Sequence, residues 1–280
     1  MLGYDAPLVP GWDCHGLPIE WKIEESYRDA GLNKDDVDLL EFRAECRTFA
    51  AKWVDVQKEE FKRLGIVADW DTPYSTMDFK TEARIIEQLG RFLLDGSLYR
   101  RQQPVMWSVI EKTTLAEAEI EYKDHTSDSI YVSFPITSTS LPILHNTVAV
   151  IWTTTPWTLP GNRAIAYGEE IEYSIVKTDK YSSSLLIASP LIDNVMKHLE
   201  IETYQILGTL TGNALKGTMC AHPLQGHGYD FSVPLLPGDH VTTEDGTGLV
   251  HTAPGHGLQD FEVGQKYGLE IPATVAEDGR

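Results

Sequence analysis

From Phe42 the apolar positions Cys46, Phe49, Trp53 and Val56 recur at alternating steps of four and three, and Phe61 and Leu64 follow after one break. That period places side chains along one stripe of an α-helix, so a long helix is expected here. Ile19 and Ile23, four apart, predict a shorter helix before Gly31. A third is expected from Phe79 to Leu94, with Ile85, Ile86, Leu89, Phe92 and Leu93 on one face and Gly96 as its stop. After Ser129 the pattern changes to short runs dense in Val, Ile, Thr and Tyr (IYVSFPI, TVAVIWTTT, EYSIVKT, SLLIA), separated by Gly, Pro and Asn. These are strand and turn signals. Within that region Pro190 to Leu199 predicts a helix, and so does Leu258 to Tyr267, closed by Gly268. The pattern divides the chain into a helix-rich part, residues 1–125, and a largely β part, residues 126–280, with the change between Asp124 and Ser129.

Composition agrees with two globular domains. A chain of 280 residues that is 42% hydrophobic and 23% charged exceeds one typical core and is neither disordered nor collagen-like. Charge is uneven, with 16 of the 23 basic residues in the first 125. The formal net charge of -19 argues against a general phosphate-binding surface, so any nucleic-acid contact is expected to be local or supplied by other sequence. Cys14, Cys46 and Cys220 are far apart and include no C-x-x-C pair, which points away from a disulfide framework or a zinc knuckle and fits a reducing cytoplasm. No stretch reaches the roughly 20 apolar residues that cross a bilayer, and the opening MLGYDAPLVPGWDCHG has neither a basic leader nor an apolar signal core. No membrane association is expected.

Three segments concentrate chemistry. Residues 4–25 pack Pro7, Pro10, Gly11, Gly16 and Pro18 around Asp13, Cys14 and His15 ahead of a helix. Composition alone favours a proline-rich turn in which Asp13 caps backbone amides. The alternative is a rigid loop presenting a carboxylate and an imidazole to a ligand. In VIWTTTPWTLPGNRAIAY (150–167) a strand-like run delivers three threonines to a Pro-rich turn, bracketed by Trp152 and Trp157. Threonine favours strands in any case, yet hydroxyls at a strand end also position water or ribose, and Asn162 both donates and accepts. In GTGLVHTAPGHGLQDFEVGQKYG (246–268), His251 follows a strand and Asp260 falls in the first turn of a helix, where a carboxylate also suits the helix dipole. His251 and His256 lack a third ligand at plausible spacing, so no metal is assigned. His222, His227 and His240 are expected to be solvated loop residues.

As strings, these segments are more specific than their compositions. GWDCHGLPIE (11–20) resembles the segment that follows the ATP-binding signature in isoleucyl-tRNA synthetases, which are class I enzymes. RLGIVADWDTPYSTMDFKTEARII (63–86) and PVMWSVIEKTTLAEAEIEY (104–122) are similar to that family's catalytic-domain sequence. Cys14-His15-Gly16 matches the isoleucine branch rather than its leucine and valine relatives. The segment at 150–167 resembles the family's threonine-rich editing peptide, and its TTTPW form differs from the threonine-arginine-proline form of the valine and leucine enzymes. The segment at 246–268 resembles the stretch that faces that peptide across the editing pocket.

The resemblance implies an α/β fold, with a partial Rossmann-type catalytic domain followed by a largely β editing (CP1-like) domain that lacks its last strands. It implies that Asp13 holds the α-ammonium of the amino acid in the synthetic site, with His15 beside it. It assigns Asp260 to the ammonium of a mischarged amino acid and His251 to the wall that screens side-chain size. Thr154, Thr155 and Thr158 would orient the water and the ester, with Trp152 and Asn162 lining the pocket. The implied partners are the acceptor end of tRNA(Ile), isoleucine and valine. ATP is required for charging by the full-length enzyme, whereas editing requires no cofactor. The histidine-glycine ATP signature expected upstream of Tyr4 and the lysine-serine loop expected downstream are not in these residues, so the chain is expected to be a cytoplasmic fragment that does not aminoacylate alone. A non-catalytic tRNA-binding fragment and a freestanding trans-editing hydrolase are the alternatives.

Overall fold

The computed structural model describes residues 3, 4 and 6–280; Met1, Leu2 and Asp5, which belong to the opening segment read above for a leader, lie outside the described residues. The chain divides into two compact units, Met1–Arg101 and Gln102–Arg280.

The first unit contains β1 (Gly11–Trp12), α1 (Leu17–Asp29), α2 (Leu39–Arg63), β2 (Tyr74–Ser75) and α3 (Phe79–Leu94). The three helices lie where the periodicity places them, and side-chain caps explain two of their starts. The Asp38 carboxylate accepts from the N–H groups of Leu40 and Glu41, and Asp78 accepts from Lys80 N–H. Each cap satisfies amides that have no partner in the first turn. α3 ends at Leu94, capped by Asp95 and followed by Gly96 at φ +85°. β1 and β2 pair in parallel over two residues each, the extent of parallel pairing among the described residues of this unit. A small core of Trp12, Cys14 and Ala50 forms behind them, with Ile19, Val54, Trp70 and Met77 packed against it. The expected apolar face of α3 exists but is uncovered: no α3 residue is buried.

The second unit begins with a hairpin of β3 (Trp107–Ser108) and β4 (Thr113–Thr114). Nine strands follow in one sheet: β5 (Ile130–Ser138), β6 (Thr147–Thr153), β7 (Ala164–Tyr167), β8 (Glu172–Thr178), β9 (Ser184–Ala188), β10 (Tyr204–Thr211), β11 (Met219–Ala221), β12 (Ser232–Pro237) and β13 (Leu249–Thr252). Their order is β10-β8-β9-β6-β5-β11-β12-β7-β13, antiparallel except for β6–β9 and β12–β7. The sheet curls, bringing β13 back against β6. Tyr173, Ile151, Ile165, Ile175, Leu186 and Leu235 belong to its buried core. Helices α4 (Ile192–His198) and α5 (Leu258–Tyr267) complete the unit, and Gly268 ends α5 in the left-handed conformation.

The break in contacts at residue 101 precedes the change of texture near 125. Residues 102–125 are rich in charge like the first unit, yet the β3–β4 hairpin is tied to the chain's end: Trp107 Nε1 donates to the Glu277 carbonyl at 3.0 Å. Among the described residues, no helix is long and apolar enough to cross a membrane.

Candidate functional site

β6 delivers Thr153 to a 3-10 turn over Pro156–Gly161, and β7 resumes at Ala164. Two prolines fix φ in this turn and remove two amides that would otherwise need partners. Hydroxyls supply the remaining bonds. Thr155 N–H donates to Thr153 Oγ1 at 3.1 Å, the two hydroxyl oxygens lie 3.3 Å apart, and Ser127 Oγ donates to the Thr154 carbonyl at 2.7 Å. Thr154 and Thr155 are exposed, whereas Thr158 is buried. The Thr158 hydroxyl donates to the Thr155 carbonyl at 2.8 Å.

His251 lies within β13 rather than after a strand, opposite Ile165 of β7. That register carries it beneath the turn, where Nε2 meets Thr158 Oγ1 at 2.9 Å and Nδ1 meets Asn162 Nδ2 at 2.7 Å. The tautomer follows from the partners. Asn162 Nδ2 also donates to the Ala164 carbonyl at 2.9 Å, which fixes the amide orientation and makes Nδ1 the acceptor. The proton therefore sits on Nε2 and is donated to Thr158. Burial pushes the His251 pKa down to about 4, helped by the nearby His222 and His256, so the ring is neutral near pH 7. Asn162 is fully buried, and its Oδ1 has no hydrogen-bond partner in the protein.

Asp260 occupies the first turn of α5 and accepts from Ala253 N–H through Oδ2 at 2.8 Å. Burial raises its carboxyl pKa, opposed by the Ala253 N–H and by the nearby His240. A carboxylate so poorly solvated favours a cationic partner. The Asp260 segment is also held to the threonine turn. A Cβ on Gly161 would lie 3.6 Å from Ala253 Cβ and only 2.8 Å from His256 Cδ2, so the turn approaches closely because Gly161 has no side chain. Arg163 N–H donates to the Thr252 carbonyl at 2.9 Å.

The structure thus brings together Thr155, Thr158, Asn162, His251 and the Ala253 loop that holds Asp260. Trp152 faces Gly246, its Cε3 lying 3.5 Å from where a Cβ would stand there. Asp13 and His15 belong to the first unit. Asp13 is exposed and accepts from Thr76 Oγ1 at 3.3 Å, while that hydroxyl accepts from Cys14 N–H at 2.7 Å. His15 Nε2 meets Glu82 Oε1 at 3.0 Å, and the same oxygen accepts from Arg47 at 2.5 Å. Arg47, then His15, hold the Glu82 carboxyl below its ordinary range. Cys14, His15 and Arg47 line a cavity of about 550 Å³. Glu82 lies inside the 63–86 string, but nothing there marks its pairing with Arg47 and His15, which are 35 and 67 residues away.

His222 is a correction to the expectation of a solvated loop histidine. It is 1% exposed, because its ring stacks on Tyr229 at 4.8 Å and 16° and both ring nitrogens are bonded. The legible signal was its position directly after the apolar run MCA, which forms β11. His240 is likewise not fully solvated, since its Nε2 is buried. Among the described residues, no group of three or more His, Cys, Asp or Glu is placed to hold a metal ion.

Comparison with known proteins places this chain in a family. Residues 1–259 match the family described as tRNA synthetases class I (I, L, M and V). The chain is 54% identical over 290 residues to the isoleucine–tRNA ligase of Gluconobacter oxydans, covering all of this chain and 30% of that protein. It is 50% identical over 284 residues to the same ligase of Pelagibacter ubique, covering all of this chain and 31% of the relative. Among solved structures it is similar to the editing domain of the P. falciparum cytosolic leucyl-tRNA synthetase, with TM-score 0.35, 13% identity, 43% of this chain and 46% of that one covered. The chain spans about 30% of the length of the curated relatives it matches. It belongs to the class I tRNA synthetases of the isoleucine, leucine, methionine and valine group.

Proposed function

We propose that this chain is part of an isoleucine–tRNA ligase and that its second unit hydrolyses valine wrongly esterified to tRNA(Ile). The observation that carries the reading is the buried Asn162–His251–Thr158 network, which holds a threonine turn against the loop that fixes Asp260. The need for such a site is physical. Isoleucine exceeds valine by one methylene, which a hydrophobic pocket converts into only about 1–3 kcal/mol of discrimination, roughly 10- to 200-fold.

The aminoacyl ester is already activated, so hydrolysis requires orientation of a water and stabilisation of the developing oxyanion rather than a protein nucleophile. Water adds to the ester carbonyl, the bond to the ribose oxygen breaks, and that oxygen takes up a proton, leaving valine and a free tRNA end. Asp260 pairs with the α-ammonium, and Thr154 and Thr155 orient the water and the ester. Thr158, whose hydroxyl is already engaged by His251 and the Thr155 carbonyl, acts by holding the turn. Trp152 and the wall around His251 and Asn162 limit side-chain size. The step uses no ATP; charging by the full-length protein does, and Asp13 and His15 serve its amino-acid site in the cytoplasm.

The test is deacylation of valyl-tRNA(Ile) by the full-length protein, with and without Asp260→Ala. The substitution is expected to slow hydrolysis about 100-fold, the scale of losing one orienting contact. Undiminished hydrolysis removes Asp260 from the mechanism, and tRNA binding without any hydrolysis in the wild type favours a non-catalytic tRNA-binding module.

A further inference from the structure

His222, immediately after β11, has no part in the mechanism above, yet its environment is built to make one bond. The ring is clamped between Tyr229, parallel at 4.8 Å, and Phe134, edge-on at 80°. Nδ1 accepts from Leu224 N–H at 3.1 Å, and a backbone amide can only donate. Nδ1 is therefore unprotonated, and Nε2 carries the proton that it donates to the Leu159 carbonyl at 3.0 Å. Burial lowers the His222 pKa, which agrees with a neutral ring.

Leu159 sits in the centre of the threonine turn, next to Thr158, and its carbonyl also accepts from Asn162 N–H at 3.0 Å. Asn162 in turn sets the proton position on His251. A second donor grips the far end of the same turn: Arg163 Nη1 donates to the carbonyls of Pro160 and Asn162 at 3.3 and 2.7 Å. Its guanidinium lies 4.6 Å over Phe231, which packs on His222 with ring centroids 5.4 Å apart. One aromatic cluster thus holds both donors that fix the turn's carbonyls.

We propose that His222 is a positioning residue for the ester hydrolysis, acting through the Leu159 carbonyl to keep Thr155, Thr158 and Asn162 in register with His251. The proposal rests on the hydrolytic reading above. Its physical basis is that a site tolerates errors of only about half an ångström, which the supporting hydrogen bonds must prevent.

The test uses three variants of the full-length protein. His222→Phe keeps the stacking ring and loses the donor, His222→Gln keeps a donor at similar reach, and His222→Asn has one that falls a bond short. Deacylation of valyl-tRNA(Ile) is followed alongside thermal unfolding. His222→Phe and His222→Asn are expected to lower kcat by about 10- to 100-fold with KM within about twofold, and His222→Gln to recover most of the loss. A folded His222→Phe protein with wild-type kcat overturns the proposal, as does a loss in all three variants that merely follows their unfolding temperatures. A second readout is independent of hydrolysis: long-range proton–nitrogen NMR of His251 is expected to show protonated Nε2 and bare Nδ1 in the wild type. That pattern should be disturbed in His222→Phe and restored in His222→Gln. A wild type that hydrolyses no valyl ester defeats the hydrolytic reading alone, whereas an unchanged His251 signature in His222→Phe defeats the positioning role.

Discussion

The two units treat their apolar residues in opposite ways. In α3 of the first unit Ile86, Phe92 and Leu93 are 68%, 56% and 61% exposed, whereas Ile151, Ile165 and Ile175 of the second are fully buried. The α3 residues follow the helical period, whereas the three isoleucines lie in strands buried along most of their length. The difference teaches that periodicity gives the direction an apolar face points and not whether anything covers it. It also separates the candidate sites. Asp13 and His15 are exposed, held by one hydroxyl and one carboxylate, while His251 and Asn162 are buried.

The strongest attempt to break this contrast is truncation of an apolar side chain in each unit. Leu186→Ala in β9 is expected to destabilise the second unit by about 2–5 kcal/mol, the cost of a cavity in a packed interior. Leu89→Ala, on the exposed face of α3, is expected to change stability by no more than about 0.5 kcal/mol in the 280-residue chain. Urea unfolding of both variants checks the pair, and equal losses would show that α3 is covered.

Acid should separate the units next. His251 has its pKa lowered from 6.5 to about 4, so the fold favours the neutral ring. That stabilisation is complete above pH 6.5 and is lost as pH falls toward 4, a change of about 3 kcal/mol in the second unit. Glu82 in the first unit is also lowered, by Arg47 and then His15, but its ordinary value is 4.5. Its contribution is complete above that pH and disappears only as the solution becomes more acidic. Unfolding midpoints measured from pH 7.5 to 3 are expected to fall first for the second unit, and a His251→Gln variant should flatten that fall.

A smaller contrast concerns two glycines. A Cβ on Gly212 would stand 1.9 Å from the Gly168 carbonyl oxygen, whereas one on Gly90, inside α3, meets nothing within 4 Å. Gly212→Ala is therefore expected to cost about 1–3 kcal/mol, and Gly90→Ala to gain about 0.5–1 kcal/mol by restricting the unfolded chain. Thermal unfolding of each variant gives the sign.

Sequence made the helices and the principal strands legible, because α3 and α5 carry both an apolar stripe and a glycine stop. It also named Thr158, Asn162, His251 and Asp260 by their strings. It did not reveal that Thr158 and Asn162 grip His251, because that contact spans about 90 residues and depends on β7–β13 register. His222 was missed for a related reason: a histidine in a Gly- and Pro-rich stretch reads as solvated until Tyr229 and Phe134 are folded onto it. Glu82 lies within the 63–86 string, yet its pairing was not legible, since its partners His15 and Arg47 come from other elements.

The most direct measurement is deacylation of valyl-tRNA(Ile) and isoleucyl-tRNA(Ile), side by side, by the full-length protein and its Asp260→Asn variant. The account predicts that the valyl ester is hydrolysed at least about tenfold faster than the isoleucyl ester, the consequence of overfilling a fitted wall. Asp260→Asn should lose about 100-fold on the valyl ester. Its unfolding midpoint should be unchanged or higher, because burial already disfavours the charged carboxylate. Equal hydrolysis of the two esters, or a variant as fast as the wild type, would contradict it.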